Sequence, residues 1–354
     1  MTEVWSFFIE VQLLNTEVPK FCPRKNCSCY QSYENKITFD GTYKVKSSGE
    51  RRQAYYCHGG QHRFSEMAYS ELFKKQGSLK EYSQAAKLIK YGLGVEQIAD
   101  VLERDIRTIE VWVKEIADKS QRFHEFICLS IGLNFLFLQM DELWSYLKKK
   151  KKQLWVFVSL DPQSKFWVNF ELGSRTNHTA NRLVMGWKKF IRWTPEKILK
   201  VTTDKLAAYK NALEKQLEGK SYAYLQIVKK RVKRRLKTVQ KCWVKGSEKD
   251  FPEGTQNTSF IERLNLTLRQ RVSYLHRKTL GYCKNKHNLN RTLWLNLFDY
   301  NYCQFHRSLQ VDLTGEKKKF KKRYKEATPA MKMGLTTGQL NWRYLLVVPI
   351  PKSS

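Results

Sequence analysis

The sequence predicts an α/β protein in which a small cysteine-rich unit and a helical unit precede a mixed-sheet domain with flanking helices. Three observations support this. Two pairs of metal-ligating residues recur with equal spacing near the N-terminus, apolar residues follow helical intervals between 79 and 119, and strand-like runs begin near 136. A chain of 354 residues, 42% of them hydrophobic, can bury two or three domain cores. Residues 1–19 precede these units, and residues 311–354 form a basic tail.

The first unit, residues 20–66, contains two similar pairs of candidate metal ligands joined by a turn-rich segment. Each pair is separated by four intervening residues. Two such pairs can close a tetrahedral zinc site, which would stabilise a unit too small to fold on its core alone. We predict a structural zinc ion because no open coordination position is implied. The predicted ligands are Cys22, Cys27, Cys57 and His62, with Cys29 and His58 as alternatives; the competing interpretation is ordinary buried cysteines.

The second unit, residues 67–120, has the pattern of a helix-turn-helix. Apolar residues recur every three or four positions on three short segments, which are separated by Gly92 and Gly94 and by the turn "ERD". The last helix of this motif lies in a major groove of DNA, so Arg107, Thr108 and Glu110 are expected near base edges. A three-helix scaffold without DNA contacts is the alternative.

From 121 to 310 the pattern indicates a sheet domain. Three strand-like runs are followed by a helix, a strand, a helix, a strand and a closing helix. This order is that of the RNase H-like fold and predicts a mixed five-stranded sheet with flanking helices. The eight segments are "FLFLQMDELWSYL", "QLWVFVSLD", "KFWVNFELG", "TNHTANRLVMGWKKFI", "EKILKVTTD", "KLAAYKNALEKQLEG", "SYAYLQIV" and "NTSFIERLNLTLRQRVSYL".

Three carboxylates are placed for metal binding by that order of elements. Asp141 lies on the first strand, Asp204 at the end of the fourth, and Glu262 on the closing helix. Oxygen donors brought together in this way suit two Mg²⁺ (or Mn²⁺) ions, which serve phosphodiester displacement. Glu142 is expected to face away from Asp141 because side chains alternate along a strand. Asp161 is expected in a hairpin turn.

The charge balance indicates a polyanionic partner. Lys and Arg number 65 against 33 acids, a formal charge of +32, and nucleic acid is the leading candidate. The densest runs are 148–152, 229–237 and 317–325; a solvated face or a disordered tail is the alternative, above all for the last. The predicted phosphate-binding residues are Lys148, Lys149, Lys150, Arg231, Arg234 and Arg235.

The sequence has no signal for a membrane or for export. Its hydrophobic runs are too short and interrupted to span a bilayer, and the first residues lack a basic n-region. Eight cysteines are scattered without a disulfide-framework pattern, which favours a reducing, intracellular compartment. We therefore expect a cytoplasmic protein.

Four segments resemble the transposases of the insertion-sequence-one family, which are bacterial and archaeal mobile-element proteins with a DDE catalytic triad. They are "MDELWSYL", "GSRT", "TTDKLAAY" and "IERLNLTLRQRVSYLHRKTLGYCKN". The zinc unit and the helix-turn-helix are similar to that family's layout, so the resemblance covers about residues 20–310. It implies that Asp141, Asp204 and Glu262 are the triad, and that Asn265 and Arg269 face the same DNA-binding side.

The resemblance also implies an activity. Such a protein binds the terminal inverted repeats of its element, hydrolyses the phosphodiester at the element ends and joins the 3′-hydroxyl to target DNA. Two ends must act together, so a homodimer or larger synaptic complex in a prokaryotic cytoplasm, associated with the nucleoid, is implied. The rival functions are a DNA-binding regulator with an inactive core and an RNase H-like nuclease without strand transfer.

One feature departs from the family pattern. The interval between Asp204 and Glu262 is long, and it contains a basic insertion at about 229–255. Glu253 and Glu248 therefore remain rival third acids, although the residues flanking Glu262 match the family best.

Overall fold

The computed structural model describes two compact units, 1–131 together with 294–354, and 132–293. The described residues are 22–30, 36–46, 48–70, 72–75, 77–232, 235–252, 254–276, 282–312, 324–348 and 350. The predicted N-terminal extension and most of the basic run 317–325 lie outside these ranges. The two units are described separately below.

The first unit begins with a small antiparallel sheet. It consists of β1 (Ile37–Lys44), β2 (Arg51–Cys57) and β3 (His62–Ser65), in the order β1-β2-β3. Its buried core contains few side chains, namely Cys22, Cys29, Ile37, Tyr55 and Cys57. So small a core supplies little hydrophobic stabilisation, which makes a cross-link such as a metal ion important.

Three helices follow: α1 (Leu79–Lys90), α2 (Val95–Val101) and α3 (Ile106–Ile131). Ser78 caps α1 in a reciprocal arrangement with Glu81. The helix α3 continues past residue 120, where the sequence predicted a domain boundary, because its apolar stripe continues through the buried Phe123 and Ile127. It ends before Gly132, whose positive φ of 72° terminates helices readily.

The second unit is a mixed α/β domain, as predicted. Its elements are β4 (Phe137–Tyr146), β5 (Gln153–Leu160), β6 (Trp167–Gly173), α4 (Asn177–Lys188), β7 (Leu199–Thr203), α5 (Ala207–Gln216), β8 (Tyr222–Val232), β9 (Arg235–Lys245) and α6 (Ser259–Arg271). The strand order is β6-β5-β4-β7-β8-β9. Strand β4 pairs antiparallel with β5 and parallel with β7, and β7 pairs parallel with β8.

The predicted count of five strands is wrong, because the sheet has six. The sixth strand, β9, lies in the basic insertion and pairs antiparallel with β8, which extends to Val232. The insertion therefore continues the sheet as a hairpin. Its sequence, rich in Lys and Arg, has little of the apolar alternation that identifies a strand.

Two features of β4 shape the site. Its pairing with β7 covers only Phe137–Gln139, and β7 ends at Thr203, so the following residues of β4 have an open edge on that side. The Gln139 side chain donates to the carbonyl of Asn257 (2.7 Å) and accepts from the backbone N–H of Ile261 (2.9 Å). Because it satisfies a free backbone group in the first turn of α6, Gln139 fixes that helix beside β4.

The remaining elements are α7 (Lys286–Phe298), β10 (Val311–Asp312), β11 (Tyr324–Lys325), α8 (Pro329–Lys332) and α9 (Trp342–Val347). From 294 onwards the chain belongs to the first unit. There the buried Lys119 donates to the carbonyl of Leu346 (3.0 Å), and Arg343 pairs with Glu66 (2.6 Å). None of the helices in the described ranges is both long and apolar enough to cross a bilayer.

Candidate active site and metal centres

The first candidate site is a Cys/His cluster formed by Cys22, Cys27, Cys57 and His62. One ligand atom from each lies within 4.8 Å of the others. Cys22 Sγ is 3.1 Å from His62 Nε2, and the sulfurs of Cys27 and Cys57 are 3.6 Å apart. The four residues predicted as ligands thus lie together, and three sulfurs with one imidazole nitrogen are a common zinc donor set.

The alternative ligands are placed differently. Cys29 is buried in the small core and is not in the cluster, and His58 Nε2 lies 3.0 Å from Thr38 Oγ1. Gly60 is packed so closely that a Cβ there would lie 2.6 Å from Cys27 Sγ. The cluster therefore depends on the absence of a side chain at Gly60.

Two of the three thiols of the Cys/His cluster, Cys22 and Cys57, favour their neutral forms without a cation. Burial raises the pKa of Cys22 to about 12 and also raises the pKa of Cys57. The backbone N–H of Cys29 lowers the pKa of Cys27. Since a zinc-bound sulfur is a thiolate, ion binding here would release protons.

The predicted DNA-reading residues lie at the start of α3. Arg107 and Glu110 are exposed and Thr108 is half-buried. The backbone N–H of Arg107 donates to Asp105 Oδ1 (2.8 Å), which satisfies a free donor at the helix start. The exposed side chains remain available to a partner, and their contact with bases stays a prediction.

The second candidate site is an acidic cluster formed by Asp141, Glu142 and Asp204, whose carboxylate oxygens lie within 4.8 Å of one another. Asp141 and Glu142 lie on β4, and Asp204 directly follows β7 and accepts from the backbone N–H of Leu206 (3.0 Å). A pocket of about 300 Å³ opens beside it. The pocket is lined by Asp141, Asp204, Lys205, Ile227, Val228, Lys229, Thr258 and Glu262.

Glu262 lines the same pocket but is not a member of the acidic cluster. Its carboxylate accepts a hydrogen bond from Thr258 Oγ1 (2.6 Å) and pairs with Lys229. The three acids of the predicted triad thus face one pocket, with Glu262 at its rim. Their assignment as the catalytic set stays a prediction.

Glu142 faces away from Asp141 as expected, yet it belongs to the acidic cluster. Alternation along β4 holds: Asp141 Oδ2 accepts from Asn265 Nδ2 of α6 (2.7 Å), while Glu142 Oε2 accepts from the Tyr209 hydroxyl of α5 (3.1 Å). The open edge of β4 beyond Gln139 nevertheless lets carboxylates from both faces approach Asp204.

Arg175 and Tyr209 hold Glu142 in place. The Arg175 guanidinium donates to Glu142 Oε1 from Nε (2.9 Å) and from Nη2 (2.5 Å). Burial raises the pKa of Tyr209 well above its ordinary value, so its hydroxyl remains a neutral donor. For both residues the sequence contained one signal, which is their place in segments that carry the resemblance: "GSRT" for Arg175 and "TTDKLAAY" for Tyr209.

Negative charge is concentrated in the acidic cluster. Burial raises the pKa of Asp141 to about 7, and the charges of Glu142, Asp204 and Glu262 add to the increase. Burial, followed by the charge of Asp204, raises the pKa of Glu142. A divalent cation would relieve this repulsion, and hard oxygen donors are the ligands that Mg²⁺ and Mn²⁺ prefer.

The two helix residues implied by the resemblance make contacts inside the protein. Asn265 is buried against Asp141, and its Oδ1 is buried with no hydrogen-bond partner among the described residues. Arg269 is half-buried, and its Nη1 lies 3.4 Å from the carbonyl of Leu275. Asn265 is therefore placed to orient Asp141.

The basic residues predicted to bind phosphate fall in two places. Lys148, Lys149 and Lys150 are exposed in the turn between β4 and β5. Arg231 and Arg235 lie on the β8–β9 hairpin. Their side chains, like the whole of Arg234, lie outside the described part of the chain.

Two of the remaining acids, Glu248 and Asp161, do not line the pocket. Glu248 is exposed in a short 3-10 helix after β9, and Glu253 lies outside the described residues. Asp161 accepts from the backbone N–H of Ser164 (2.8 Å) in the β5–β6 turn.

Comparison with known proteins bears on the second unit. Residues 135–250 match the family model described as IS1 transposase. "Insertion element IS1 2 protein InsB" of Escherichia coli (strain K12) is 28% identical over 164 residues, which cover 46% of this chain and 75% of that protein. "Insertion element IS1 protein InsB" of Shigella sonnei is 29% identical over 147 residues, which cover 42% of this chain and 82% of that protein.

A third relative, "Insertion element IS1 9 protein InsB" of E. coli (strain K12), is 29% identical, and 65% of its length is covered. The solved "Crystal structure of the Mos1 Strand Transfer Complex" matches 42% of this chain and 58% of its own at 13% identity, with a TM-score of 0.19 that is too low to bear on the fold. The family match is shorter than the predicted extent of 20–310. The resemblance to IS1 transposases that the sequence predicts is confirmed over residues 135–250, within the mixed-sheet domain.

Proposed function

We propose that this protein is a metal-dependent DNA transposase that cuts the phosphodiester at the ends of its own element and joins the freed 3′-hydroxyl to target DNA. The observation that carries the proposal is the acidic cluster. Asp141 and Asp204 of that cluster come from separate elements and share one pocket with Glu262 and with Lys205 and Lys229. The clustered acids of this pocket can bind metal ions, and its two lysines can bind phosphates. The pocket therefore fits a metal-assisted reaction on a polyanion.

The donor set of the pocket fits Mg²⁺ or Mn²⁺. We propose that Asp141, Asp204 and Glu262 hold two such ions, with Glu142 beside them. When bound, these ions would supply an activated hydroxyl nucleophile and would stabilise the leaving oxygen. The Cys/His cluster fits a structural zinc ion, because all four of its ligand positions are filled by protein atoms.

The chain's own residues position the carboxylates. Asn265 donates to Asp141 and fixes one of its oxygens, leaving the other to accept from the backbone N–H of Glu142 (2.9 Å). Arg175 and Tyr209 hold Glu142 from the opposite face of β4. Lys229 stands at the pocket rim, where a phosphate of the DNA backbone could replace Glu262 as its partner.

We assign recognition of DNA to other parts of the chain. The exposed start of α3, with Arg107 and Thr108, would read the terminal inverted repeats, and the basic turn at 148–150 and the β8–β9 hairpin would bind phosphates without sequence preference. Because two element ends must react together, a homodimer or larger assembly is part of the proposal. So is a cytoplasmic, nucleoid-associated location in a prokaryote.

A plasmid assay with the Asp141→Ala variant tests this function. The donor plasmid has two element ends, a second plasmid serves as target, and Mg²⁺ or Mn²⁺ is added. We expect the variant to bind the ends as the parent does and to lose cleavage and joining by roughly a thousandfold, because a ligand worth several kcal/mol in the transition state is gone. Glu248→Ala, an exposed acid outside the pocket lining, is the matched control.

The products distinguish the rival functions. Cleavage by Asp141→Ala with magnesium present would refute the assignment of the pocket. A parent protein that cuts without ever joining is a nuclease, and one that binds the ends without cutting is a regulator.

A further inference from the structure

Beyond the acidic cluster, the same face of the sheet displays a set of aromatic side chains. Strand alternation places Trp144 and Tyr146 on the face of Glu142. Trp155 of β5 is directly opposite Trp144 in the antiparallel register, and opposed residues share a face. Tyr282 also lies beside Tyr146. The next residue, Cys283, forms an isolated β-bridge with Leu147, which directly follows β4. We call Trp144, Tyr146, Trp155 and Tyr282 the aromatic strip.

The rings of the aromatic strip form a connected surface. Trp144 and Tyr146 have ring centroids 5.5 Å apart, and Tyr146 and Tyr282 stack at 6.1 Å with an interplanar angle of 18°. At the other end, the Arg175 guanidinium lies 4.9 Å from the Trp155 ring while it pairs with Glu142. The strip therefore consists of two parts, Arg175 with Trp155 beside Glu142 and Trp144 with Tyr146 and Tyr282, and the two parts meet where Trp155 is opposite Trp144 in the strand register.

The aromatic strip is accessible and is surrounded by positive charge. Tyr282 is 36% exposed, and Trp144, Tyr146 and Trp155 are half-buried, although large aromatic side chains usually bury most of their surface. The turn that joins β4 to β5 immediately beyond Tyr146 consists of five exposed lysines, 148–152. An apolar protein partner would not select five adjacent cations, whereas a nucleic acid strand has both flat bases and phosphates.

We propose that the aromatic strip is a stacking site for unpaired DNA bases, located where a strand would leave the acidic cluster. The site rests on the proposed function and adds to it a preference for frayed or single-stranded nucleotides at the cleaved end. Bases would stack on Trp144, Trp155 and the tyrosines, and the lysine turn with Arg175 would bind the phosphates between them. Stacking tolerates any sequence because every base has a flat face.

A binding experiment on the full chain tests this site without requiring catalysis. The probes are a dye-labelled blunt duplex, the same duplex with a short single-stranded extension carrying 2-aminopurine, and that duplex with an abasic extension. No divalent metal is added. We expect the parent to prefer the base-bearing extension and to quench the 2-aminopurine fluorescence.

The Trp144→Leu and Tyr282→Leu variants should each bind the base-bearing extension about tenfold more weakly, which is the usual effect of losing one stacked base, and should lose the quenching. Their binding to the blunt duplex should not change. The matched control is Trp193→Leu, another half-buried tryptophan of the same unit, over whose ring Lys220 lies at 5.6 Å. This control should behave as the parent does.

Equal binding of the base-bearing and abasic extensions by the parent would overturn the proposal. Variants that keep the quenching would also overturn it. A third contrary result is a variant that still binds the bases but has a lower molecular mass in sedimentation than the parent, because the strip would then be a contact between protein copies. Failure of the proposed function is a separate result, because it appears as absent cleavage by the parent and leaves this measurement unaffected.

Discussion

The Cys/His cluster and the acidic cluster are assembled in the same way but have opposite energetic consequences. Each draws its residues from well-separated stretches of sequence, and each places its donor atoms within 4.8 Å. The Cys/His cluster lies beside the sheet β1–β3, whose own core is very small, so an ion would supply much of the stability there. The acidic cluster lies on a six-stranded sheet that has a large core of its own.

The Cys/His cluster is therefore a site that stabilises the fold when an ion binds, whereas the acidic cluster lowers the stability of the fold when no ion is bound. In the Cys/His cluster, burial favours the neutral forms of Cys22 and Cys57, so these thiols and the imidazole can lie side by side without an ion at little electrostatic cost. In the acidic cluster, burial raises the pKa of Asp141 to about 7, and the repulsion among the carboxylates adds to this increase. Stored repulsion of this kind is typical of functional rather than structural sites.

The largest expected effect concerns the Cys/His cluster. Replacing Cys57 with Ser removes a buried ligand, so the purified variant should contain no stoichiometric zinc. Protease should then cut the chain rapidly around the sheet β1–β3. Structural zinc sites contribute roughly 10 kcal/mol or more of folding free energy, so binding of the element ends should be lost as well. Metal analysis and limited proteolysis measure these effects.

Cys242→Ser is the control for this experiment, because Cys242 is half-buried on β9 and belongs to neither cluster. It should keep its zinc and its protease resistance. If Cys57→Ser also keeps its zinc, the assignment of the Cys/His cluster as a structural zinc site is incorrect.

An intermediate effect is expected for pH at the acidic cluster. Because the pKa of Asp141 is raised from 3.8 to about 7, a proton must leave before a cation binds. Affinity for Mn²⁺ should therefore rise about fivefold from pH 6 to pH 7 and level off above the pKa. Titration calorimetry at several pH values checks this, and Asp141→Asn should flatten the profile. A profile of the parent that is flat across this range would contradict the assigned cause.

The same shift fixes the sign of metal-free stability. Between pH 4 and 7 the folded protein binds more protons at Asp141 than the unfolded chain does, so the free energy of unfolding should fall as pH rises through this window.

The smallest expected effect has the opposite sign to that of Cys57→Ser. Asp204→Asn keeps an oxygen for the Leu206 N–H but removes a charge that raises the pKa of Asp141 and Glu142. Without metal, the free energy of unfolding should therefore increase by about 1 kcal/mol, a rise of about 3 °C in Tm, while Mn²⁺ affinity falls.

Thermal unfolding with and without Mn²⁺ measures this effect, with Glu248→Gln as the control of equal charge change outside the pocket. A loss of metal-free stability in Asp204→Asn would show that the acidic cluster is not under the repulsion described here.

Much of the molecule was predictable because the signals are local. Alternating apolar residues identify β4 to β6, and the repeated four-residue gaps identify the residues that the Cys/His cluster brings together. The strand β9 was not identified as part of the sheet, because its charged sequence has little of that alternation and it is held by backbone pairing with β8 and by a single tryptophan, Trp243, packed on a small apolar cluster. The return of residues 294–348 to the first unit depends on contacts such as Arg343 with Glu66, which no local pattern encodes.

The sequence by itself determined the α/β class, the similarity of the mixed-sheet domain to IS1 transposases and the three acids that face the pocket. Only the tertiary structure decided that Glu142 joins Asp141 and Asp204, and that Arg175, Tyr209 and Asn265 hold these carboxylates. The physical reason is that alternation assigns a side chain to a face of a strand, whereas the end of β7 at Thr203 decides which faces remain open. Where a neighbouring strand stops is a property of the sheet as a whole.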